Sequence, residues 1–164
     1  LIEKGHRRCA YVYFGEIPEF SIHPEIQRLE GFRETLAQHG IPLPDEYIRY
    51  VPRKNIRGKL RELFQLPELP TGIFAPSDDL AIRVIHHARE LGLQTPRDIS
   101  VIGFDNIDIA EHVDLTTISQ RLTDSGQRAV ELLLSHLENP DRPIQQLQLQ
   151  VYLEERGSTR ALND

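Results

Sequence analysis

Continuous apolar runs and amphipathic stretches alternate along the chain. Cys9-Ala10-Tyr11-Val12-Tyr13-Phe14 is an unbroken apolar and aromatic run and predicts a buried strand. Leu29, Phe32 and Leu36 recur at helical spacing, and Gly40 and Pro42 end that pattern. Tyr47–Val51 predicts a second strand, followed by a helix from about Arg57 to Gln65 with Leu60, Leu63 and Phe64 on one face. Gly72–Ala75 predicts a third strand. Ala81, Val84, Ile85 and Ala88 mark the next helix, with Gly92 in its C-cap region. Ile99–Phe104 predicts a fourth strand.

Fully apolar strands between helices imply a parallel sheet covered on both faces, and right-handed crossovers make it a doubly wound α/β sandwich. Ligands on such sheets sit at the carboxyl ends of the strands. That rule selects Phe14 to Glu16, Val51 to Asn55, Pro76 to Asp79, and Asp105 with Asn106. After Asp105 the pattern changes. Leu115–Gln120 is a short extended segment, a helix from about Thr123 to Leu137 carries Val130, Leu133, Leu134 and Leu137, and Asn139–Pro143 is a turn. The alternation Leu147, Leu149, Val151, Leu153 predicts a half-buried strand.

Composition narrows the function classes. The 164 residues carry a formal net charge of -6, which argues against direct DNA contact, because phosphate neutralisation needs a basic face. The local basic string Lys4-Gly5-His6-Arg7-Arg8 is best read as a solvated helix end. The single cysteine, Cys9, lies in an apolar run, so a buried structural thiol in a reducing, cytoplasmic compartment is expected. No stretch approaches membrane-spanning length, and no membrane partner is expected. The chain begins at Leu1 and has no methionine, so it is expected to be part of a longer protein.

Enzyme signatures are absent. Gly103 and Gly126 stand alone, without a phosphate-cradling loop. His86 and His87 are adjacent, so on a helix they are expected to point about 100° apart and not to face one metal. No catalytic residue, metal or cofactor is assigned. Ser77-Asp78-Asp79 opens a helix, where Ser77 or Asp78 caps the free backbone N–H groups or lines a pocket rim; capping is the simpler role for Asp78. A pair of acids at strand ends also suits a phosphoacceptor site, but a well-placed strand-end lysine is missing. Asp105 directly follows the fourth strand and is either a turn former or an acid at the ligand edge. Arg28 can reach the same edge from the first helix.

Taken in order, several strings resemble the LacI/GalR family of repressors along essentially the whole chain. They include Leu1-Ile2-Glu3-Lys4-Gly5-His6-Arg7-Arg8, Arg28-Leu29-Glu30-Gly31-Phe32, Pro70–Ala75 and Ser77–Ile82. The most specific runs from Leu91-Gly92-Leu93 through Pro96-Arg97-Asp98-Ile99-Ser100 to Val101-Ile102-Gly103-Phe104-Asp105, followed by Leu115-Thr116-Thr117-Ile118 and Arg156-Gly157-Ser158-Thr159. The resemblance implies a two-lobed sensor of the periplasmic-binding-protein kind behind an N-terminal helix-turn-helix. A small effector, a sugar or related metabolite, then binds between the lobes and controls DNA binding by a homodimer. It assigns 1–118 to the C-terminal lobe, 119–150 to a segment of the N-terminal lobe, and 151–164 to a return strand and tail of the C-terminal lobe. DNA contact falls to an upstream domain outside this chain. The alternatives are a periplasmic sugar-binding protein of the same fold and a small α/β enzyme or phosphoacceptor domain.

The family's ligand contacts carry over residue by residue. Arg28 matches an arginine that clamps ligand hydroxyls, and Asp105 an acid that accepts from the ligand. Ser77 stands where the family often has Asn, and Arg53 where related sensors often place an aromatic platform. Gln120 stands at the crossover, where a polar contact also occurs. Arg83 replaces a residue that is usually small, and the diproline expected before Leu115 is missing. The resemblance also implies dimerisation through the helix from about Asp78 to Leu91 and through His112 and Val113.

Overall fold

A computed structural model describes residues 1–15 and 24–162. Strand β1 (Cys9–Phe14) is followed by helix α1 (Pro24–Gln38), β2 (Ile48–Val51), α2 (Ile56–Phe64), β3 (Gly72–Phe74) and α3 (Asp78–Glu90). Then come β4 (Ser100–Asp105), a short α4 (Asp108–His112), β5 (Thr117–Ser119), α5 (Leu122–Glu138) and β6 (Tyr152–Glu154). The strands form one sheet in the order β2-β1-β3-β4-β5-β6. All neighbours are parallel except β5 and β6, which run antiparallel.

The chain moves outward from β1 to β2, then crosses back to β3 on the other side. This reversal opens a crevice at the carboxyl ends of β1 and β3, where ligands bind doubly wound sheets. The strand alternation explains the two cores. Ala10 and Val12 of β1, Ile73 of β3 and Val101 of β4 pack with Leu60 and Leu63 of α2 and with Leu80, Val84 and Ala88 of α3. On the other face, Cys9 packs with Leu36 of α1 and with Ile41. Tyr11, Phe32 and Phe74 form an aromatic row beneath α1, with ring centroids 5.4 to 5.8 Å apart, and Phe104 extends it 6.4 Å beyond Phe74. Gly92 takes φ +84, a left-handed conformation that a residue with a side chain adopts at a cost, and it stops α3 just past its last turn.

The sheet departs from the sequence pattern at its far edge. The alternation at Leu147, Leu149, Val151 and Leu153 predicts a strand, but only Tyr152–Glu154 pair. The physical reason is the partner. β5 offers three residues, and beyond Tyr152 no strand among the described residues faces the segment. Leu147 and Val151 are therefore exposed, as are Val130, Leu133, Leu134 and Leu137 on α5. Ser158 returns to the sheet, its backbone carbonyl accepting from the Val101 N–H and its hydroxyl donating to the Val101 carbonyl. Helix α4 has too short an apolar pattern to be legible in sequence. No helix among the described residues is long and apolar enough to cross a membrane.

Candidate functional site

Four of the sequence-selected positions gather at the carboxyl edge of the sheet. The first turn of α1 lies against β1, where the Tyr11 hydroxyl donates to the Glu25 carbonyl, and the next turn brings Arg28 to the ends of β3 and β4. Arg28 Nη1 donates to the Pro76 carbonyl at 2.6 Å, just past β3. Its guanidinium carbon lies 3.7 Å from the centroid of the Phe104 ring. A planar cation on an aromatic face is held flat, with its remaining N–H groups in a fixed fork. Phe104 was not singled out by sequence, because nothing local announces a stacking partner 76 positions from the arginine.

Asp105 ends β4, and its carboxylate Oδ1 accepts from Gln120 Nε2 at 2.5 Å. Gln120 directly follows β5, the strand parallel to β4, so register alone brings the two side chains together. Burial pushes the Asp105 carboxyl above the usual carboxylate range. The nearby Arg28 charge and the Gln120 hydrogen bond oppose that push, and Asp78 and Glu25 add to it. Arg28 and Asp105 thus approach the edge from two sides. Arg28 lines an apolar trough of about 650 Å³ with Phe32, Phe74 and Phe104, and Asp105 lines a polar hollow of about 510 Å³ with Asn106, Ser119 and Arg121.

Ser77 and Asp78 divide the work that sequence left open between them. Ser77 is the N-cap of α3, its hydroxyl accepting from the Leu80 N–H at 3.4 Å. The capping role favoured for Asp78 is therefore not its role. Asp78 is fully buried; its Oδ2 accepts from the Ile107 N–H at 2.9 Å and its Oδ1 from the Thr117 hydroxyl at 2.5 Å. Arg53 lies at the rim, 4.2 Å over the Phe14 ring and 3.9 Å from Asp79 Oδ2, with an exposed side chain. The strand-end position Glu16 lies outside the described residues.

The histidine pair also differs from expectation. His86 and His87 leave α3 in different directions, but Glu90 lies four and three positions on, within reach of both. His87 Nδ1 is 2.8 Å and His86 Nε2 3.8 Å from the Glu90 carboxylate, so the three side chains bring a ligand atom each within 4.8 Å of one another. Arg57 Nε stands 3.5 Å from the same carboxylate. A cation thus already neutralises the acid, and the group is an exposed ion-pair cluster on α3.

The carboxyl edge of the sheet thus carries a flat arginine on one side and a hydrogen-bonded carboxylate on the other. Residues 1–159 match the family described as periplasmic binding protein-like domain. The chain belongs to this family, and the full-length proteins it resembles include LacI-type regulators. It is 33% identical over 165 residues to catabolite control protein A of Priestia megaterium, covering 98% of this chain and 48% of that protein. A LacI family transcriptional regulator from Enterococcus faecium, solved with bound ribose, superposes with a TM-score of 0.84 at 32% identity, over 99% of this chain and 60% of that one. The cellobiose complex of the transcriptional regulator CelR superposes with a TM-score of 0.80 at 26% identity, over 96% and 48%. The chain spans about half the length of the curated relatives it matches.

Proposed function

We propose that this chain is the effector-sensing and dimerisation part of a LacI-type transcription regulator, and that its effector is a sugar or sugar derivative. The observation that carries the reading is the pairing at one sheet edge of the Arg28 fork, held on Phe104, with the Asp105 carboxylate, held by Gln120. Sugar hydroxyls both donate and accept. Arg28 supplies donors, Asp105 accepts, and Gln120, Ser77 and Arg53 add polar contacts at the rim. Binding makes and breaks no covalent bond, and the chain is not an enzyme. In this reading residues 1–118 and 151–164 form one lobe, and 119–150 belong to the other. The protein works in the cytoplasm as a homodimer through α3 and α4, and DNA is contacted by a helix-turn-helix outside residues 1–164. The ribose and cellobiose complexes of similar proteins support the ligand class.

Calorimetric titration with a panel that includes D-ribose and cellobiose tests the proposal. One sugar binds the unmodified protein, and Arg28→Ala or Asp105→Ala each weakens it by about 1–3 kcal/mol, the scale for leaving a polar partner unpaired. Unchanged affinity in both variants contradicts the assignment.

A further inference from the structure

We infer that Asp78 is a positioning residue for the ligand edge, acting through the turn that carries Asp105; the inference rests on the sugar-sensing reading of that edge. The turn is an unfavourable one. Asp105 and Asn106 take φ values of 112 and 54, two successive non-glycine residues in the left-handed half of the map. Such a conformation persists only where the surroundings over-determine it. Three elements do so here. From α3, Asp78 accepts from the Ile107 N–H on the far side of the turn. From β5, the Thr117 hydroxyl donates to Asp78 and accepts from the Asn106 N–H at 3.4 Å. From the segment after β6, Arg156 donates to Asn106 Oδ1 at 2.9 Å and to the Leu115 carbonyl at 2.7 Å.

Asp78 is the centre of this clamp. It is fully buried, so a carboxylate there needs strong partners, and both of the partners it has belong to the turn or to the strand beside it. It is not needed as the helix cap, since Ser77 fills that place. The fold also makes room for it. A Cβ at Gly103, two residues before Asp105, would fall on Asp78 Oδ1. The consequence is local. With the clamp closed, Asp105 is held where Gln120 reaches it. With Asp78 neutralised, the turn relaxes toward ordinary backbone angles and carries Asp105 off Gln120.

The Gln120 side-chain amide reports this contact directly, without any sugar. Amide NMR spectra are to be recorded for the unmodified protein, Asp78→Asn, Thr117→Val and Asp105→Asn. In Asp78→Asn the Gln120 side-chain signal shifts away from its position in the unmodified protein, and the Ile107 amide exchanges about tenfold faster or more, while Val101 and Ile73 stay protected, as local opening requires. Thr117→Val, which keeps the Asp78 charge and a similar side-chain shape, moves the same signals in the same direction. An unmoved Gln120 signal in a folded Asp78→Asn protein overturns the inference. If Asp78→Asn does not fold, an unmoved Gln120 signal in Thr117→Val overturns it. D-ribose added to the unmodified protein tests the sugar reading separately: failure to bind it, or any sugar of the panel, counts against that reading and leaves the turn result standing.

Discussion

Replacing Gly103 by alanine is expected to destabilise the fold strongly, although it adds a single methyl group. Gly103 is buried in β4, and its missing side chain is the space that the Asp78 carboxylate occupies. A Cβ there would overlap Asp78 Oδ1 and would approach Leu115 Cδ2 to 3.0 Å and the Ala81 Cβ to 3.3 Å. Backing away breaks the hydrogen bonds from the Ile107 N–H and the Thr117 hydroxyl. Each donor left dry costs about 1–3 kcal/mol. Partial relaxation, with water reaching Ile107, brings the expected loss to about 3 kcal/mol, within the range for overpacked cores. For a chain of this length that is a fall in Tm of roughly 6–12 °C. Gly31→Ala in α1 is the control, because a Cβ there meets nothing within 4 Å. It removes a helical glycine and should stabilise by about 0.5–1 kcal/mol. Urea unfolding and calorimetry on the two variants should therefore give opposite signs. A Gly103→Ala protein within about 0.5 kcal/mol of the parent, the range of neutral surface changes, refutes the close-approach account.

Asp105→Asn is expected to raise thermal stability at neutral pH while weakening sugar binding, because burial disfavours the charged carboxyl. With the folded value raised, the parent binds its proton more readily when folded and loses stability as pH rises through that value. The Tm advantage of Asp105→Asn should thus shrink as pH falls from 7 toward the ordinary carboxylate range; an advantage that grows would contradict the burial argument. Cys9 is fully buried and burial pushes its thiol up to about 11, so a thiol reagent at pH 8 should label it only on unfolding; fast labelling of folded protein would show that the Cys9–Leu36–Ile41 core is open. On α5, Leu133 and Leu137 are 58% and 65% exposed, and changing both to Gln should leave the stability of this chain within about 0.5 kcal/mol per site. A loss of several kcal/mol would mean that α5 packs against something in solution.

Most of the first four strands were legible because they are largely apolar runs that need no partner to be recognised. Cys9–Phe14 and Ile99–Phe104 could only be interior strands, and their ends pointed to Asp105. The last strand was not, because alternation describes a half-buried strand only where another strand exists to bury it. Asp78 shows a different limit. Ser77, Asp78 and Asp79 are all good acceptors at a helix start, and only the Gly103 opening and the approach of Thr117 turn Asp78 inward. Phe104 under Arg28 is a contact between α1 and β4, decided by how helices lie on a sheet and not by local spacing. The convergence of His86 and His87 on Glu90 was not legible, because backbone angles alone ignore where long side chains can lean.

Chemical-shift mapping during a D-ribose and a cellobiose titration tests the proposed sugar-binding role of the Arg28–Asp105 edge most directly. One of these sugars, or another of the panel, is expected to move the Arg28 guanidinium and Gln120 side-chain signals and the Asp105 backbone amide first and furthest, and Asp105→Asn is expected to weaken the response at matched sugar concentration. Shifts confined to surfaces away from this edge, or an Asp105→Asn protein that responds like the parent, would contradict that role.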